Sequence, residues 1–158
     1  MKRLSHMTRV NLANQLISQR PRIWYLAVGG IETVHGAMGN LQELQKRVEK
    51  EHIRGAIIDF RKLEGYDPQQ DWVGFLKGLK AYTPHGLPIA WMAHTHGANA
   101  AQQLAQAAQK AGALSQFCLN WQAALMTVGL PKTTPDPLPG LTAPADDGDE
   151  DDDVFLLD

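Results

Sequence analysis

Ile23-Trp24-Tyr25-Leu26-Ala27-Val28 and, further along, Ala56-Ile57-Ile58-Asp59-Phe60 are the two stretches on which the fold turns. Each is a short apolar run bounded by glycine, proline or charge. A strand with one wet face alternates polar and apolar residues, whereas a strand covered on both faces does not. Leu87–Ala93 (LPIAWMA) and Gln116–Leu119 (QFCL) repeat the pattern. Four such runs predict strands buried on both sides, the signature of a parallel sheet under helices.

The segments between them have helical spacing. Residues 36–52 place Met38, Leu41, Leu44 and Val48 on one stripe, with Glu43 and Arg47 as an i,i+4 pair outside it. In 68–82, Asp67 is a capping residue, Pro68 suits a first helical position and Gln70 completes a capping-box-like pattern. Trp72, Phe75, Leu76 and Leu79 form its inward stripe. Residues 98–111 are alanine-rich around Leu104, with Lys110 in the last turn and Gly112 as a stop. A short helix over 121–128 presents Leu125 and Val128 and ends at Gly129-Leu130-Pro131. Val10–Ile17 reads as a strand that pairs with 22–28 through Gln19-Arg20-Pro21, with an N-terminal helix as the other option. The expected order is β-β-α-β-α-β-α-β-α. Helical crossovers of this length make parallel connections. The fold class is therefore α/β: one domain, a central mostly parallel sheet of about five strands with an N-terminal hairpin, covered by about four helices.

Composition bounds the rest. The chain has 158 residues, 44% apolar and 20% charged, close to a globular average. No run reaches the ~18 apolar residues of a membrane helix. Lys2 and Arg3 are not followed by an apolar segment, so a secretory leader is not expected. A single cysteine, Cys118, excludes a disulfide framework and a cysteine-based zinc site, and suits the reducing cytoplasm. The charge is divided unevenly. From Pro131 onward there are nine acidic residues and one lysine, a net of -8, which leaves +6 on the first 130 residues. Residues 1–8 carry no pattern and are expected to be frayed, 9–130 form the domain, and 131–158 read as a disordered proline-rich acidic tail. The tail ends in Val154-Phe155-Leu156-Leu157-Asp158, an apolar patch that gains nothing in water unless a partner receives it.

The order of elements resembles the STAS (sulphate transporter and anti-sigma-factor antagonist) fold, in particular its SpoIIAA-like branch, and its outline is similar to Sec14-type domains. The likeness is carried by Gly29-Gly30-Ile31-Glu32-Thr33, Gly55-Ala56-Ile57-Ile58-Asp59, Leu87-Pro88-Ile89-Ala90 and the closing Phe117–Leu130 stretch. It implies a bacterial regulatory module that binds other proteins rather than an enzyme. Phosphorylatable relatives in that family carry Ser or Thr directly after the strand-end Asp. Here Asp59 is followed by Phe60-Arg61-Lys62, so the phospho-switch is not implied.

Ligands of open α/β sheets sit beyond the carboxyl ends of the strands. The loops there display Glu32, Thr33 and His35, then Asp59, Arg61 and Lys62, then His94, Thr95 and His96. Two histidines at i,i+2 offer two imidazoles to a metal, with Asp59 as the third ligand a catalytic zinc would require. HxH is common by chance, and no metal or cofactor is expected. An anion site is the milder reading. A helix start at Gly97-Ala98-Asn99 would turn its first-turn N–H groups toward a ligand, and Arg61, Lys62, His94 and His96 add positive charge. Cys118 reads as a core thiol and Gly29-Gly30 lacks a dinucleotide fingerprint. The scattered cations and acidic tail argue against nucleic acid. The expectation is a protein partner docked at the strand-end loops and by Val154–Leu157, with room for a homodimer through an exposed helix. A phosphate- or nucleotide-binding domain is the alternative, and a metal-dependent enzyme using His94 and His96 ranks below it.

Overall fold

Strands β1 (Val10–Gln19), β2 (Arg22–Glu32), β3 (Gly55–Tyr66), β4 (Pro88–Met92) and β5 (Leu114–Cys118) lie side by side in chain order in one sheet. This is a computed structural model that describes residues 8–94 and 97–138. β1 runs antiparallel to β2, and the remaining pairs are parallel. Helices α1 (Val34–Glu51), α2 (Trp72–Lys77), α3 (Ala98–Lys110) and α4 (Trp121–Val128) join or follow the strands, with a 3-10 turn at Leu79–Ala81. The α/β class, the N-terminal hairpin and the single, mostly parallel sheet are as the sequence predicts.

The two-sided burial of the central strands has a direct structural cause. Trp24, Leu26, Val28, Ile58, Phe60 and Trp91 face a core built by α1, α2 and α3. Their neighbours Ile23, Tyr25, Ala27, Ile57, Ala90, Met92 and Cys118 face a second core under α4. Both periods of two are therefore buried, so no polar alternation survives in the sequence. Trp121 is buried in the second core and meets Tyr25 edge-on with ring centroids 5.9 Å apart. Among the described residues no helix is long and apolar enough to cross a membrane.

Three local expectations are corrected. The segment 68–82 is not one helix capped by Asp67. Asp67 instead closes a turn, accepting the Gln69 N–H on Oδ1 at 3.0 Å, while Asp71 caps α2 by accepting the Gly74 N–H at 2.9 Å. The helix then breaks at Gly78 before the 3-10 turn, although Trp72, Phe75, Leu76 and Leu79 are all buried as their spacing predicts. Second, β2 and β3 continue beyond Val28 and Phe60. A register shift between Ala27↔Asp59 and Gly29↔Lys62 carries the pair on to Glu32↔Tyr66. Third, the packed body does not stop at Leu130. The chain continues as a strap to Leu138, which rests against the second core. The Val154–Leu157 segment and the acidic run lie outside the described residues.

Candidate functional site

β4 ends one pair beyond Trp91, at Met92 opposite Asp59. Asp59 is therefore the last β3 residue with a β4 neighbour, even though β3 itself runs on. Asp59 and Arg61 are two apart and share the α4 side of the sheet, where Tyr25 of β2 also points. The three form one buried cluster. The Tyr25 hydroxyl donates to Asp59 Oδ2 at 2.5 Å. Arg61 donates its backbone N–H and its Nε–H to Asp59 Oδ1, both at 3.0 Å, and its Nη2 lies 2.8 Å from Oδ2. Asp59 thus accepts from a hydroxyl, a peptide and a guanidinium, which compensates a carboxylate taken out of water.

The other edge of the guanidinium is also occupied. Arg61 Nη1 and Nη2 donate to the two oxygens of Asp136 at 2.9 and 2.8 Å, in the fork geometry that arginine makes with a carboxylate. Asp136 sits on the strap beyond α4, whose course is held by the Trp121 indole donating to the Thr134 carbonyl at 2.8 Å. The electrostatics follow. Burial pushes the Tyr25 hydroxyl well above its usual range, and the Asp59 charge adds to this. Burial works against the Arg61 charge, yet Asp136 and Asp59 more than offset it and hold the guanidinium protonated. Desolvation would raise Asp136, but the Arg61 hydrogen bonds and the Leu138 N–H keep it below the ordinary carboxylate range.

His94 completes the cluster from the β4–α3 loop. It is 8% exposed, and its Nε2 is buried without a hydrogen-bond partner among the described residues. Burial and the Arg61 charge lower its pKa, with Asp59 acting in the opposite direction. A neutral imidazole is the favoured form. Gly97, in the left-handed region at φ 94°, provides the start of α3 without a side-chain cap.

The structure thus gathers Asp59, Arg61 and His94 from the sequence-derived set. Lys62 is exposed. Thr95 and His96 lie outside the described residues. Among the described residues no group of three or more His, Cys, Asp or Glu could hold a metal ion. Tyr25, Trp121 and Asp136 are the members that sequence reasoning missed. Tyr25 was legible in principle as the phenol within an otherwise apolar strand, since a buried tyrosine hydroxyl requires a partner. Asp136 was hidden in a stretch whose proline content reads as disorder.

A second buried acid lies at the end of β2. Glu32 is 1% exposed and accepts from the Arg9 guanidinium and from the Thr33 N–H at 3.0 Å. Thr33 caps α1 by accepting the Gly36 N–H at 3.0 Å. Burial raises the Glu32 pKa, and Arg9 and the Thr33 N–H only partly counter it. His35 is exposed. Cys118 is buried, and burial raises its thiol pKa. No protein-family model and no curated protein matches the chain.

Proposed function

We propose that the chain is a non-enzymatic interaction module, a cytoplasmic regulatory domain on a STAS-like, SpoIIAA-like scaffold. The observation that carries the reading is the apolar rim at one edge of the sheet. Among the described residues β5 pairs only with β4, and Leu114 at its start and Leu119 just past its end are 61% and 51% exposed. Leu114, Gln116 and Thr127 line a shallow groove there. Apolar side chains beside an unpaired strand edge suit a protein partner that adds backbone hydrogen bonds and covers them. The buried polar cluster supports the non-enzymatic side, because Asp59, Arg61 and Tyr25 are engaged with one another rather than with an open pocket. Phe60-Arg61-Lys62 after Asp59 supports regulation without phosphorylation at that position.

The test compares protein capture by the full chain and by Leu114→Asp with Leu119→Asp in the same chain. Both positions are exposed, so the double variant should keep its melting temperature. Loss of a specific captured protein supports the reading, and identical capture by both chains sinks it. A second reading, an anion-binding domain, is favoured by one observation: Arg61 already holds a carboxylate by both oxygens. Added phosphate or acetate would raise the melting temperature on that reading, and Arg61→Lys would remove the rise.

A further inference from the structure

The strap beyond α4 differs from the elements it touches. Pro131, Pro135 and Pro137 have no N–H to donate, so the segment cannot be stitched to the sheet by a backbone ladder. It is held at three points instead: the Trp121 indole on the Thr134 carbonyl, the Arg61 fork on Asp136, and Leu138 on the second core. Among the described residues the other strap hydrogen bonds are its own, Thr134 N–H to the Pro131 carbonyl at 3.0 Å and Leu138 N–H to Asp136 Oδ1 at 2.9 Å. An aromatic donor, a cationic fork and an apolar seat, taken by a proline-flanked segment, form the pattern by which extended peptides are recognised.

Charge accounting separates the strap from the rest of the cluster. Asp59 alone neutralises Arg61. It is fully buried, whereas the Asp136 side chain is 22% exposed. When Asp136 leaves, a neutral buried pair remains with the outer edge of the guanidinium open. When Asp59 is removed, the buried pair is broken. Asp136 is therefore the exchangeable carboxylate of the two.

We propose that the surface formed by Arg61, Trp121 and the apolar seat under Leu138 is a peptide-binding site and that Thr134–Leu138 is its tethered occupant. The external ligand is a segment of another protein with the same chemistry: an aspartate between prolines, followed by a leucine. The site is separate from the β5 rim, so the two proposals fail independently. A short tether supplies its occupant at an effective concentration on the order of 1 mM. An occupant of about 0.1 mM intrinsic affinity would then weaken external binding about tenfold. The strap sets a threshold that only a tighter ligand passes.

The probe is a labelled synthetic peptide copying residues 133–140, titrated into the full chain and followed by anisotropy and by the Trp121 indole N–H resonance. Asp136→Ala in the full chain should bind it about tenfold more tightly than the unaltered chain, with the indole signal shifting. The same peptide with its aspartate replaced by alanine should lose that gain. Leu138→Ser loosens the strap at its other end and keeps the test open if Asp136→Ala folds poorly. Equal binding by folded variants and the unaltered chain would overturn the proposal and leave the strap as a clamp. Equal binding of the two peptides would overturn the role of Arg61. A dimer that exchanges straps while rejecting the peptide would overturn the choice of an external ligand.

Discussion

Arg61 stands between two carboxylates of unequal standing: Asp59 on the inner edge of its guanidinium, fully buried, and Asp136 on the outer edge, reached across 75 positions of chain. The inner contact belongs to neighbouring residues of one strand. The outer one exists only because α4 turns the chain back over the sheet.

The two carboxylates should therefore differ in energetic weight. Asp59→Asn leaves a buried guanidinium without its main counter-charge and should cost about 3 kcal/mol. Asp136→Asn, with a partly wetted carboxylate, should cost about 1 kcal/mol. Tyr25→Phe removes one donor to Asp59 without changing volume and should fall between them, at about 1–2 kcal/mol. Urea unfolding of the three variants measures the order. Equal losses at Asp59 and Asp136 would mean that the inner pair does not stand alone.

His94 predicts a pH dependence of definite sign. Its folded pKa lies below the unfolded value, so between the two the unfolded chain binds more protons and stability rises with pH. Acidification from about pH 7 through about 6.5 and below should cost stability. His94→Gln should flatten that part of the curve. The Asp136 contribution is lost only at lower pH, through its depressed carboxylate range. Unfolding midpoints on a pH series separate the windows, and a slope unchanged in His94→Gln would contradict the assignment.

Glu32 should behave in the opposite way. Its folded pKa is raised, so the charged form is unfavourable and stability is lost as pH rises through that value. Arg9→Gln removes the counter-charge. Because Arg9 is partly exposed, the expected cost is about 2 kcal/mol at neutral pH, less than for a fully buried pair. The deficit should shrink as the pH is lowered and Glu32 takes up a proton. A deficit independent of pH would show that packing, not charge, explains the loss.

His52 ends α1 in the left-handed region at φ 58°, where a side chain is strained. His52→Gly should stabilise the protein by about 0.5–1 kcal/mol, the relief exceeding the added freedom of the unfolded chain. The melting temperature reports the sign directly. A lower value would mean that the imidazole makes a contact worth more than the strain.

The particular successes and failures of sequence reading have physical causes. Trp24–Val28 and Ala56–Ile58 announce two-sided burial because every side chain in them is apolar or aromatic, and that property is local to the strand. The α2 cap was misplaced because Asp67 and Asp71 are both competent caps. The choice between them depends on the turn that lets the Trp72 indole donate to the Asp67 carbonyl at 2.7 Å. Asp59, Arg61 and His94 were legible as polar residues at the ends of apolar runs. Their partners were not, because Tyr25 comes from another strand and Asp136 from the far end of the chain.

What the amino-acid sequence by itself determined was the class of the fold, its element order and the stripes that face inward, since periodicity and capping act over a few residues. Only the tertiary structure decided that Pro131–Leu138 is part of the body. Composition marks that segment as unable to form a core of its own, but not as unable to dock on one. Its place depends on an indole, a guanidinium and an apolar seat that come together only after the sheet has closed under α4.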